Sequence, residues 1–475
     1  MDVRPFWLAG RPATGEAELT VTNPYDDRVV GVASVPTPEQ VEQAVAAADA
    51  IRRTAAALPV HTRAEALAHV SRRLAERAGE VAELIRAENG KPILWARGEV
   101  ARAVSTFRFA AEETRRIGGE MLRLDTDPGG EGRMAYVSRQ PYGPVLGVTP
   151  FNFPLNLVAH KVAPAIAVGA PVIVKPAPAT PLSALLLGEI LAETGLPEGM
   201  FSVLPVPNDR AAALVEDPRL PVVSFTGSAP VGFAIAERVP RKHVTLELGG
   251  NAAAVVLADA DLDWAAARIA LFSNYQAGQS CIAVQRVLVE DAVYDDFVSR
   301  LVPAVEALVT GDPSDEKTQV GPMVSVEAAQ RVEAWVNEAV AAGGKLLAGG
   351  GREGATFAPT VLADVPDDAK VCREEVFGPV LTLRRVASAD EAFAVVNDSA
   401  YGLQAGVFTR DVATAFRAAK ELEVGGVVIG DVPSYRADQM PYGGIKDSGV
   451  GREGLRSAME DYTYPRTTVF TGLTL

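Results

Sequence analysis

The feature that most restricts this chain is a rhythm that begins at Gly143. Short apolar runs, VLGVTP (145–150), APVIVKP (170–176), FSVLPV (201–206), VVSFTG (222–227) and HVTLEL (243–248), alternate with helical stretches over roughly 157–168, 181–194 and 229–238. Nearly continuous apolar strands separated by helices belong to a parallel sheet covered on both faces. A second alternating set runs from about Asn251 to about Gly430. The chain therefore reads as α/β, with two parallel-sheet units in tandem, and 475 residues give each unit room for a core of its own.

The flanks differ. The first third reads as helices. Thr37, Pro38 and Gln40 form a capping signal before a run to about Ala57, and Thr62 with Glu65 repeats it before a helix that Gly90 and Pro92 stop. A third helix spans about Leu94 to Ile117. Residues 120–141 and the tail 460–475 are short and β-prone; they read either as a connection and a frayed end or as strands that leave the body and pair with a partner's sheet. A net charge of -15 argues against nucleic acid and anionic membranes as partners. Two cysteines cannot build a disulfide framework. Met1–Arg11 lacks the features of a leader, and no apolar stretch is long enough to span a bilayer, so a cytoplasmic protein is expected.

Several residues could do chemistry. A lone cysteine is usually a small buried hydrophobe, but Cys281 follows Gly278, Gln279 and Ser280, a setting for a turn whose backbone N–H groups favour thiolate and oxyanion. Cys372 has no such setting and reads as structural. Glu247, between two leucines at a strand end, would be desolvated and raised in pKa if it points inward, as a base near neutral pH requires. Asn152, in the stiff loop PFNFP (150–154), could donate to a developing alkoxide. Gly227, Ser228 and Gly232 mark a strand–turn–helix start suited to a pyrophosphate. The four histidines, His61, His69, His160 and His243, show no metal-ligand spacing. Each signal is weak alone.

Together with VIVKPA (172–177), EEVFGP (374–379) and PYGGIKDSGVGRE (441–453), these segments stand in the order and approximate spacing of the aldehyde dehydrogenase superfamily, which the chain resembles over nearly its whole length. The resemblance implies a Rossmann-like cofactor domain (1–119 and 142–246), a catalytic domain (247–450) and a bridging arm (120–141 and 451–475) that forms a homodimer or homotetramer. It implies Cys281 as nucleophile, Asn152 as oxyanion donor and Glu247 as the base that activates hydrolytic water. Lys175, Pro178, Gly227, Ser228, Gly232, Glu375, Phe377 and Phe151 correspond to cofactor positions, and Lys161 and Glu453 to supporting polar ones.

CoA-acylating relatives of the methylmalonate-semialdehyde type lack a base at Glu247, so hydrolysis is expected here. A CoA-acylating enzyme, a non-catalytic binding protein and a thioesterase using Cys281 alone are the alternatives. Many NAD-preferring members place Glu where this chain has Pro178; its absence removes a repulsion toward a 2′-phosphate, so of NAD and NADP the latter is favoured. The resemblance also points Arg102, Arg108, Arg436, His160 and Tyr442 toward the substrate tunnel, where arginines suit a carboxylate, phosphate or sulfonate. The expected substrate is a small polar or anionic aldehyde.

Overall fold

The architecture was read from a computed structural model that describes residues 2–472. The last three positions of the expected tail strand, 473–475, lie outside the described residues. Two large sheets carry the body. In the first, five parallel strands stand in the order His243–Glu247, Val222–Thr226, Val145–Val148, Val172–Lys175, Phe201–Val203. The hairpin Phe6–Leu8 with Arg11–Ala13 closes one edge antiparallel, and Gly449–Val450 closes the other. Helices Val60–Glu76, Ile93–Thr114, Asn156–Val168 and Leu182–Ala192 share its core. The second sheet has seven strands, all parallel except the edge strand Lys345–Ala348.

The strand Ala253–Val256 shows why the apolar runs are continuous. Ala254 and Val256 join the core under helices Leu262–Asn274 and Tyr294–Glu306, while Ala253 and Val255 join another, against Ala389–Asn397 and Val412–Glu421. Successive side chains face opposite ways, and both ways are covered. The expected strands and helices between 145 and 247 fall within a few residues of those observed.

Three differences have local causes. Residues 3–35 form strands, not helix: Val29–Val35 pairs with Ala17–Thr22 and Val3–Arg4 in a small sheet of its own. The Thr37 box is made, Gln40 N–H donating to the threonine hydroxyl and the Gln40 side chain accepting from Thr37 N–H. Thr62, by contrast, lies inside a first turn that starts at Pro59, and the chain breaks at Arg77 into two helices before Gly90, at φ +77°, ends the second. Helix Ile93–Thr114 stops three residues short of the expected end.

Glu120–Arg123, Arg133–Pro141 and Thr463–Thr471 are strands as expected, and they pair antiparallel with one another in a sheet of their own. The tail strand starts later than 451, because helix Leu455–Asp461 packs Leu455 and Met459 into the first core. Among the described residues no helix is long and apolar enough to cross a membrane.

Candidate active site

One cavity of about 1320 Å³ runs between the two sheets and is lined by Cys281, Asn152, Glu247, Glu375 and Phe377. It exceeds the roughly 300–1,000 Å³ of a single-ligand pocket, which leaves space for a cofactor and a substrate end to end. Strand ends and the turns after them bring the residues there. Val145–Val148 delivers the loop of Asn152, His243–Glu247 delivers its own last residue, and Val222–Thr226 delivers Gly227 and Ser228.

Cys281 follows a left-handed run: Gln276 at φ +59°, Ala277 at +52° and Gly278 at +69°. Non-glycine residues adopt this conformation at a cost, and hydrogen bonds across the cavity hold it. The Gln276 amide donates to the Asn152 carbonyl at 2.6 Å, and the Asn152 amide donates to the Gln279 carbonyl at 2.9 Å. The Cys281 Sγ lies 3.1 Å from the Tyr442 hydroxyl, and the Arg436 guanidinium stacks 3.8 Å from the Tyr442 ring.

The titrating groups are strongly displaced. Burial pushes the Cys281 thiol up to about 12, against the pull of the Tyr442 hydrogen bond. Glu247 is 3% exposed, and among the described residues neither of its carboxyl oxygens has a hydrogen-bond partner. Its pKa stands well above the usual carboxylate range, first through burial and then through the charge of Glu453. Burial acts on Glu453 in the same sense, but Lys161 at 3.2 Å and Arg436 at 3.0 Å overcome it and hold Glu453 down to about 2. The two carboxyls are thus driven apart: Glu453 keeps its charge, while Glu247 has the higher proton affinity that a group taking a proton from water needs.

On the cofactor side, the helix Ala229–Arg238 opens at Ser228 with no side-chain cap, which leaves its first N–H groups free for an anion. A Cβ on Gly249 would meet a Glu375 carboxyl oxygen at 2.4 Å, so the chain there must pass close beside Glu375. Glu375 accepts from Gly250 N–H at 3.0 Å, and burial lifts it to about 7. Phe151 and Phe377 meet edge to face at 5.9 Å. Lys175, lowered to about 8 by burial, donates to Asn208 at 2.7 Å beside Pro178. Donors, carboxylate and aromatic walls along this cavity fit a nicotinamide dinucleotide.

Three expected positions are corrected. Arg108 faces solvent, bonded to Ser105, because six residues from Arg102 amounts to about 240° around the helix and not the same face. His160 is buried behind the cavity wall, 3.2 Å from Asp438, and burial with the Arg436 charge lowers it to about 4. Gly232 packs its helix onto Leu248, where a Cβ would come within 2.4 Å of the leucine side chain, and does not line the cavity. Arg102 and Arg436 do line it, each with a carboxylate partner: Asp438 at 2.9 Å and Glu453 at 3.0 Å. Lys161 is buried between Ser224 and Glu453.

Asp438, Gln276, Gln279, Lys91 and Glu99 escaped the sequence reading, since each acts through a partner distant in the chain.

The aldehyde dehydrogenase family model matches residues 11–468. The chain is 44% identical to a 3-sulfolactaldehyde dehydrogenase of Priestia megaterium, over 98% of this chain and 97% of that one. It is similar to the crystal structure of aldehyde dehydrogenase 21 from Physcomitrella patens in complex with the reaction product succinate, at 45% identity, TM-score 0.98 and 99% of both chains. An NADP-dependent glyceraldehyde-3-phosphate dehydrogenase from Bacillus halodurans, complexed with NADP, matches at 35% identity and TM-score 0.96 over 100% of both chains.

Proposed function

The chain belongs to the aldehyde dehydrogenase family, and from that membership we propose that Cys281, Asn152 and Glu247 convert a small aldehyde bearing an anionic group into its acid. It is an NAD(P)-dependent oxidoreductase of small polar aldehydes. Cys281 gives up its thiol proton to solvent as Sγ attacks the aldehyde carbon, and the Asn152 amide and the Cys281 backbone N–H meet the alkoxide of the thiohemiacetal. When bound, NAD(P) supplies the hydride acceptor. The thioester left on Cys281 is cleaved by a water whose proton Glu247 takes, which returns the thiol and releases the acid. Glu247 favours water over CoA as acceptor, and product analysis with and without CoA separates the two.

The observation that carries the anionic substrate is a pair of guanidinium groups in the cavity wall. Arg102 and Arg436 both line it, Arg102 bonded to Asp438 and Arg436 sharing Glu453 with Lys161. Such donors suit a carboxylate, sulfonate or phosphate on the substrate, and the relatives' sulfolactaldehyde and succinate carry such groups. Arg102→Leu is expected to lower kcat/KM for an anionic aldehyde by about 10- to 100-fold, the worth of a charge-assisted hydrogen bond, and to leave a neutral aldehyde of equal length within about twofold. Equal losses on both would sink the assignment.

NADP is the favoured cofactor, since Pro178 puts no carboxylate near the Lys175 ammonium. Pro178→Glu is expected to cut kcat/KM with NADP about tenfold or more while that with NAD rises, measured as initial rates. A parallel fall with both cofactors would mean only a damaged loop. Residues 1–119 with 142–246 are read as the cofactor unit and 247–450 as the catalytic unit. The exposed arm, with Met121 and Phe470 on its surface, supports a homodimer or homotetramer joined through those strands.

A further inference from the structure

Three buried ionisable side chains, Glu88, Lys91 and Glu99, take no part in the chemistry above, yet all lie within 5% of full burial. Each grips main chain near the cavity. Glu88 accepts from the N–H groups of Leu182 and Ser183. Lys91 donates to the Asn152 carbonyl at 2.9 Å, pairs with Glu99 and lies over the Phe153 ring. Glu99 spends its other oxygen on the N–H groups of Leu155 and Asn156, at 2.9 and 3.0 Å.

We propose that the Lys91–Glu99 pair is a positioning device for the oxyanion donor, which clamps the Asn152 loop from behind while Gln276 clamps it from the nucleophile side. The inference rests on the reading of Asn152 as that donor. With Lys91 and Gln276 both bonded to it, the Asn152 carbonyl has both lone pairs occupied, so its peptide plane cannot rotate. Glu99 fixes the two N–H groups that begin the next helix. Only the side-chain torsions of Asn152 remain, and its amide bond to the Gln279 carbonyl restricts those.

A buried ion pair is a poor source of stability, since desolvating the two charges consumes most of what their attraction returns. What it supplies is direction. The ammonium holds one carbonyl and the carboxylate two N–H groups, and no apolar pair of equal volume can do either. The ring Gln276–Asn152–Gln279 then couples the loop so fixed to the turn that presents Cys281.

The test is a double-mutant cycle read on the NAD(P)H burst in stopped flow. Lys91→Met is expected to slow the burst about tenfold or more, as small misplacements of reacting groups do, with KM for aldehyde and the affinity for cofactor within about twofold. Asn152→Ala alone should slow it by about 100-fold. In the Asn152→Ala background Lys91→Met should then cost under about twofold, because there is no amide left to aim. Gln276→Met buries no lone charge and should reproduce the pattern if Lys91→Met does not fold. Full additivity in the cycle, or an unaltered burst in a folded Lys91→Met or Gln276→Met enzyme, overturns the positioning role. An unaltered burst in Asn152→Ala overturns instead the oxyanion reading on which it stands.

Discussion

Enzyme carrying Glu247→Gln, mixed with aldehyde and cofactor, is expected to release about one NAD(P)H per site in a burst and then fall to a steady rate about 100- to 10,000-fold below the parent, the usual span for a removed general base. The two halves of the reaction ask different things of this residue. Thiohemiacetal formation and hydride loss draw on Cys281 and Asn152, and an amide at 247 keeps the size of the carboxyl it replaces. Thioester hydrolysis needs a proton acceptor beside water, and glutamine is none. Acid quench and mass measurement should find the acyl group on Cys281.

The pH profile of the parent follows from the same burial. Glu247 acts only when ionised, and its pKa is raised well above the carboxylate range, so the hydrolytic step should accelerate as pH rises through neutrality. The Cys281 thiol, pushed up to about 12, sends the attack step in the same direction. Both limbs rise toward alkali, and Glu247→Gln should remove the lower one. A Glu247→Gln enzyme that turns over without a burst, or with an unchanged profile, would show that another group activates the water.

Much of this site was legible before the fold was known, for a definable reason. Cys281, Asn152 and Glu247 stand on strand ends and tight turns, where neighbouring residues determine the backbone, and those neighbours are contiguous in sequence. The parallel strands were legible for a similar reason: residues such as 253–256 are buried on both faces, so the apolar run is unbroken. Legibility failed where a side chain takes its role from a distant partner. Arg102 reads as a free cation until Asp438, 336 residues away, is placed against it. Lys91 reads as a helix-stop residue until Glu99 and the Asn152 carbonyl close around it. The strands of 3–35 were missed because they are short and only a few of their residues face a core. Gly232 was misread because a glycine that allows a close approach and one that frees an N–H for phosphate look alike in sequence.

The turn that carries the nucleophile yields the second large effect. Gly278→Ala is expected to slow the hydride burst by more than about 100-fold without unfolding the protein. Gly278 sits at φ +69°, and a Cβ there would stand 2.0 Å from the Gly378 carbonyl oxygen and 2.6 Å from the Pro379 nitrogen. Both are backbone atoms, so no rotamer relieves the clash. Nor can that segment retreat, since Gly378 already passes so close to Val332 that a Cβ on it would lie 2.6 Å from the valine side chain. The alanine must therefore push the 276–281 turn away from the loop of Glu375 and Phe377. Cys281 moves off Tyr442, and Gln276 and Gln279 release the Asn152 loop. Ala277 joins a small core with Val332, Val376 and Val380, but the larger cores under the two sheets do not include the turn, which keeps the loss local. Gly79→Ala is the control: a Cβ at this exposed helical position meets nothing within 4 Å, and it should leave the burst unchanged and stabilise the fold slightly. Iodoacetamide trapping of Cys281 should report the displacement directly, with an altered alkylation rate in Gly278→Ala and the parent rate in Gly79→Ala. A Gly278→Ala enzyme with a normal burst would mean that the turn is soft, and that the hydrogen bonds to Asn152 do not hold it.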